Sequence, residues 1–159
     1  MISDTQGENG VLDLDSMEFL LKGVSAVSFS DSQQVAIKPY FDEITLLEDN
    51  KIKMHGKLFA GYTTFEGLNF FYDYDQHRIY LDSVREFQLY IPTGKILQDG
   101  RPEAVSVNSR IESMKGTLLI DAPHNKSGRF NIPIFPSIHS NGESYVYYDE
   151  RFIQNGVYK

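Results

Sequence analysis

Lys51-Ile-Lys-Met-His-Gly-Lys-Leu-Phe-Ala60 places Ile52, Met54, Leu58 and Ala60 at every second position, with Lys51, Lys53, His55 and Lys57 between them. A period of two puts one set of side chains on a buried face and the other in water, which is how a half-buried strand reads. A helix would scatter the same residues around its circumference. Outward from this stretch the chain repeats one phrase: apolar alternation, a Gly or Asp/Asn turn, then alternation again. An all-β fold follows, a curled antiparallel sheet or a β-sandwich with at most one short helix.

Upstream, Val27 and Phe29 alternate with Ala26, Ser28 and Ser30, and the strand closes at Ser30-Asp-Ser-Gln-Gln34. Val35 and Ile37 lead to Pro39, which has no N–H to give a ladder, so this strand is expected at an edge or ending there. Ile44 to Leu47 is a further run, closed by Glu48-Asp-Asn50. Asp15-Ser16 would cap a single helical turn over 17–21 ended by Gly23, and a continued strand accounts for the same residues equally well. Downstream, the dense aromatics from Phe65 to Tyr74 suit cross-strand packing in a sheet. Asp73-Tyr-Asp-Gln76 reads as a hairpin tip, with a return from His77 to Val84 and a strand from Phe87 to Pro92. Strands are expected at Val105, within 111–120 and at Tyr145-Val-Tyr-Tyr148. Phe130-Asn-Ile-Pro-Ile-Phe-Pro136 is expected to be an edge strand or a connecting arm.

Lys22-Gly23-Val24, His55-Gly56-Lys57-Leu58 and Lys115-Gly116-Thr117-Leu118 each set a glycine inside β-like sequence. Such glycines mark bulges that let a long sheet bend. Their intervals are unequal, so they are not the period of a solenoid.

Composition narrows the function. The net charge is −7 and the 15 Lys and Arg are scattered, which disfavours nucleic acid and anionic membrane surfaces as partners. With no Cys, disulfides, thiolate metal sites and thiol chemistry are excluded. No apolar run reaches the roughly 20 residues of a membrane-spanning helix. Met1 to Gly10 is polar and acidic, unlike a signal peptide, and is expected to be a disordered lead-in to one β domain over 11–159. The stop at Lys159, just after an Asn-Gly turn, suggests a piece of a longer protein whose last edge is unfinished, either frayed or paired with a second copy.

Candidate sites are few. Asp73, Asp75 and His77 recur at alternate positions and could offer two carboxylates and an imidazole to a divalent ion. Asp is also the usual residue of a hairpin tip, which gives the same pattern without a metal. His55, His77, His124 and His139 lack metalloenzyme spacing and are expected at the surface. Asp121-Ala-Pro-His-Asn-Lys-Ser-Gly128 reads as a surface loop with the polarity to bind something, and Asn125-Lys-Ser127 matches the N-glycosylation acceptor pattern. The 22 acidic residues show no glycosidase-like pair, and no nucleophile elbow, P-loop or dinucleotide glycine pattern is present. The chain is therefore expected to be non-enzymatic and to need no cofactor.

The phrases Asp49-Asn-Lys-Ile-Lys-Met-His-Gly-Lys-Leu-Phe-Ala-Gly61, Val84-Arg-Glu-Phe-Gln-Leu-Tyr-Ile-Pro92, Gly116-Thr-Leu-Leu-Ile-Asp-Ala-Pro-His-Asn-Lys-Ser-Gly128 and Tyr145-Val-Tyr-Tyr-Asp149 resemble a stretch of very large β-rich proteins of the Bacteroidetes envelope. In style alone the chain is also similar to AsmA-like envelope proteins, whose curled sheets form apolar troughs for lipid. The resemblance implies a non-catalytic structural or interaction module at the cell envelope, contacting protein or lipid. Two other readings stand beside it: a lipocalin-like barrel carrying a small apolar ligand, and a fragment of a glycan-active enzyme.

Overall fold

The computed structural model describes residues 9–107, 110–112, 114–130, 132–141 and 145–147. Twelve strands fill it: β1 (Gly10–Asp13), β2 (Glu18–Lys22), β3 (Val27–Ser30), β4 (Val35–Leu47), β5 (Lys51–Ala60), β6 (Thr63–Asp73), β7 (Arg78–Ile96), β8 (Pro102–Ser106), β9 (Arg110–Glu112), β10 (Met114–Leu119), β11 (Ser137–Ser140) and β12 (Tyr145–Tyr147). One antiparallel sheet runs β1-β2-β4-β5-β6-β7-β10-β11 and is not closed. A lipocalin-type barrel joins its first and last strands, whereas β1 and β11 lie at opposite ends of this order. No helix among the described residues is long and apolar enough to cross a membrane. The segment expected as a helical turn is half of a hairpin: β2 pairs with β1 through Leu20↔Val11 and Leu21↔Gly10. Gly10 belongs to that hairpin and not to a lead-in.

The core takes one face of the central strands, and the register lays it out in rows. Ile52, Tyr72, Ile79 and Leu118 form one row across β5, β6, β7 and β10; Ile44, Met54, Phe70 and Leu81 form the next across β4 to β7. Beyond these come Ile37, Leu58, Phe65 and Phe87. Met54, Leu58 and Ala60 are buried with Ile52 packed against them, while Lys51 and Lys57 keep about two-fifths of their side chains exposed. The alternation read from this strand is therefore its register. On the outer face Lys57 opposes Glu66 directly across the ladder and their charged ends meet at 2.6 Å.

A line of bulges crosses the sheet between the rows. Pro39 pairs with Gly56 and Ile44 with Met54, so residues 40–43 of β4 face His55 alone. On its other side His55 faces Leu68 and Asn69, and its Nδ1 accepts the Asn69 N–H at 3.0 Å. Arg85 is the extra residue where β7 meets β6, and Asp82 and Ser83 face Lys115 of β10. Bulges on successive strands bend a sheet locally and increase its twist. Gly56 and Gly116, singled out from sequence, both lie on this line.

Two of its glycines leave no room for a side chain. A Cβ on Gly56 would sit 2.2 Å from the Lys38 carbonyl oxygen, and one on Gly67 would sit 2.1 Å from that of Ser83. The two glycines are also direct partners across the β5–β6 ladder. The bulge corrects the expectation for Pro39, too. Instead of ending its strand, Pro39 lies inside β4 beside the irregular stretch, where a missing N–H interrupts no regular ladder. In that stretch Phe41 and Asp42 both take positive φ, and Phe41 is 91% exposed.

Leu58→Ala should cost about 2–5 kcal/mol in chemical denaturation, the range for emptying a packed core position. Gly56→Ala adds one methyl yet should cost at least about 1–3 kcal/mol, because the atom it meets is backbone. A Gly56→Ala protein as stable as the wild type would show that the strands do not approach as described.

Candidate functional site: a polar corner built by three loops

Bent by its bulges, the sheet brings β3 and the turn after it (residues 31–34) against β6 and the loop that follows β10, and that loop against the β6–β7 hairpin (residues 74–77). Phe29 packs on Tyr72 with ring centroids 4.6 Å apart, although β3 and β6 are not ladder neighbours. Tyr74 N–H donates to the Asn50 carbonyl, tying the hairpin to the neighbouring β4–β5 turn.

The hairpin decides where the suspected metal ligands go. Asp73 is buried and its Oδ1 accepts the Gln76 N–H at 2.9 Å, an Asx-type closure of the turn. Asp75 is exposed. His77 has φ +52 and is only 2% exposed, its ring meeting the Tyr72 hydroxyl through Nδ1 at 3.1 Å. The alternate spacing holds in a strand, but the turn's left-handed residue breaks it, and the three side chains go separate ways. Among the described residues no group of three His, Asp or Glu is placed to share an ion.

His77 also departs from the expectation that the histidines lie at the surface. His124 and His139 are exposed and His55 is half-buried, but His77 belongs to the interior. The tight hairpin turns it inward, its ring edge-on to that of Tyr72, which in turn meets Tyr74 edge-on. Its Nε2 is buried and finds no hydrogen-bond partner among the described residues. Burial pushes its pKa down; Asp121 opposes that shift, and Lys126 adds to it. Burial likewise pushes the Tyr72 hydroxyl up to about 12, with Tyr74 and Asp73 adding to the shift.

The loop after β10 is not the plain surface loop its punctuation suggests. Asp121 and Asn125 are 2% and 1% exposed. Asp121 Oδ2 accepts from Gln33 Nε2 at 3.2 Å and from Asn125 Nδ2 at 2.9 Å, while Oδ1 accepts the Ala122 N–H at 2.7 Å. Asn125 in turn donates to the Phe130 carbonyl and accepts the Phe130 N–H, closing a ring over a 3₁₀ turn at Pro123–Asn125. A side chain this enclosed is out of reach of a glycosyl transfer, so the Asn125-Lys-Ser127 match has no accessible acceptor. Gln33 carried no sequence signal, because a Gln in a polar turn usually points to water.

Apart from His77 Nε2, the buried polar groups of this corner bond to one another or to nearby backbone. Both Asp121 oxygens are occupied by donors, His77 is sealed from solvent, and Tyr72 holds its proton through the physiological range. The arrangement clamps three loops together through buried Gln33, Asp121 and Asn125. Beside it, residues Ser28–Ser32 and Lys126–Gly128 face one another across a hollow of about 230 Å³. Lys126 stands over the Tyr74 ring, its Nζ 4.1 Å from the centroid.

Three outcomes test this account. Asp121→Ala leaves Gln33 and Asn125 without their shared acceptor and should cost about 1–3 kcal/mol, read by denaturation. Because the folded protein holds His77 below the ordinary histidine value of 6.5, the unfolded chain takes up its proton first as pH falls. Stability should therefore be full above about pH 6.5 and decline below it, with His77→Asn giving a shallower decline; His55, also shifted down by burial, acts in the same direction. Millimolar Ca²⁺ or Zn²⁺ should leave the Tm unchanged, since an ion bound by the native state would raise it.

No family model, curated protein or solved structure matches this chain.

Proposed function

We propose that this chain is a non-catalytic structural and interaction module of a large bacterial envelope or surface protein, and that it contacts protein or lipid through the β7–β8 ribbon. The observation that carries the reading is an apolar face left in solvent where a core strand outruns its sheet. β7 has 19 residues, about 60 Å at roughly 3.3 Å per residue, well beyond the usual strand. Its inward series continues past Phe87, which packs on the core, to Leu89 and Ile91. Val105 of β8 lies directly opposite Ile91. Ile91 and Val105 are each 56% exposed, and Ile96 near the tip is 67% exposed.

Alternation of this kind has a cause in water only if something covers the face. Scattered exposed apolar residues are ordinary, but here they continue a core row in register. β8 pairs on one side only among the described residues, so its outer edge is open to a further strand. The bulge-borne Phe41 and the exposed Val11, Leu12 and Leu14 of the β1–β2 hairpin add apolar surface elsewhere. The envelope setting rests on the resemblance of the strand-and-turn phrases. Further support for a non-catalytic role is the polar corner, where Asp121 is buried with both carboxylate oxygens bonded within the corner and His77 is enclosed.

The double substitution Ile91→Lys/Val105→Lys should leave stability within about 1 kcal/mol of the wild type, since both positions are exposed. It should also abolish co-sedimentation of the protein with purified bacterial envelope fractions. Failure of the wild type to co-sediment, or equal co-sedimentation of the variant, would overturn the reading.

A further inference from the structure

The hollow beside the polar corner has a built character that the clamp alone does not require. One lip is the end of β3 and its turn: the Ser28 hydroxyl donates to Asp31 Oδ1 at 2.6 Å, Ser30 and Ser32 hydroxyls meet at 3.2 Å, and Ser30 Oγ accepts the Gln33 N–H. The other lip is Lys126-Ser127-Gly128, held from below by buried Asn125, whose carbonyl accepts the Gly128 N–H at 2.8 Å. The lips touch at Gly128, where a Cβ would fall 2.5 Å from Ser32 Oγ and φ is +63. Phe29 supplies the apolar wall.

We propose that this hollow binds a single neutral sugar ring or a comparably compact polyol. At about 230 Å³ it lies below the range of roughly 300–1,000 Å³ typical of drug-sized ligands. Its lining chemistry selects among small molecules. Four serine hydroxyls are each donor and acceptor, Asp31 accepts only, and Lys126 donates only. A ligand bearing several hydroxyls matches such a mixed set. Asp31 and Lys126 carry opposite charges, so the lining as a whole favours neither net sign. Ser28, Ser30 and Ser32 already bond within the lip, so a hydroxyl-bearing ligand would add to these bonds through their remaining donor and acceptor capacity. A pyranose also offers a C–H face to Phe29. The lips are anchored from beneath by Gln33, Asp121 and Asn125, so little ordering accompanies binding. This inference is independent of the ribbon's apolar face.

The test is an amide chemical-shift titration of the full chain with methyl α-glucoside, methyl α-mannoside and N-acetylglucosamine, each carried to millimolar excess. At least one should give saturable shifts confined to residues 28–32 and 126–128. Asp31→Ala, at an exposed position, should keep the spectrum of the folded protein and weaken that sugar about tenfold, the loss of one charge-assisted hydrogen bond. Inorganic phosphate and glycine serve as charged probes. The proposal is overturned if no sugar moves these amides, if the shifts spread over the surface, if Asp31→Ala binds unchanged, or if phosphate or glycine saturates the hollow while the sugars do not.

Discussion

Backbone brought against backbone at Gly56 and Gly67 is the constraint on which this fold depends. The two glycines pair across β5 and β6, and each lies under a carbonyl of its outer neighbour, Lys38 on one side and Ser83 on the other. The approach is possible only because residues 40–43, 68–69, 82–83 and 85 absorb the mismatch as bulges. A flat sheet with the same apolar rows would expose them on one side, since no helix or second sheet packs there among the described residues. Bending lets the sheet supply its own cover, with Phe29 meeting Tyr72 and Gln33 meeting Asp121.

The polar corner is a product of that bend. Three segments distant in sequence contribute one buried polar side chain or more each, and their hydrogen bonds are made mostly within the group. Buried polar networks of this kind favour one arrangement over near alternatives, because any slip leaves donors and acceptors unpaired in low dielectric. Apolar rows alone would tolerate a shift of β3 along the concave face; Gln33, Asp121 and Asn125 would not.

What the sequence discloses divides along the same physical line. Period-two alternation is a property of neighbouring residues, so β5, the hairpin at Asp73-Tyr-Asp-Gln76 and the inward set Met54, Leu58 and Ala60 are legible in the string. Glycines within strands are legible as bends for the same reason, and Gly56 and Gly116 lie on the bulge line. Strand continuity was not legible: β4 passes through Pro39 because the irregularity lies in its pairing, not in its own residues. β7 likewise runs on through Pro92, where one side chain's geometry gives no sign that the ladder persists on β8. Burial of His77, Asp121 and Asn125 was hidden because it arises from contacts between loops far apart in sequence. The aromatics follow the ordinary rule, with Phe65 on Phe87 at 5.0 Å as a cross-strand pair inside the core. The unfinished edge expected near Lys159 lies outside the described residues.

The extent of β7 also sets how the sheet would carry load. It is bonded to β10 from Arg78 to Val84, to β6 from Arg78 to Leu89, to β9 at Phe87 and to β8 at its far end. A pull on the ribbon tip therefore acts along the strand axis, at right angles to the antiparallel hydrogen bonds. Many bonds share such a force at once in shear, whereas a strand pulled from its edge unzips one bond at a time. An arm that is the free end of a central strand is thus tethered through the core, and a load on its tip passes the irregular stretch between Pro92 and Ile96 before it reaches the body of the sheet.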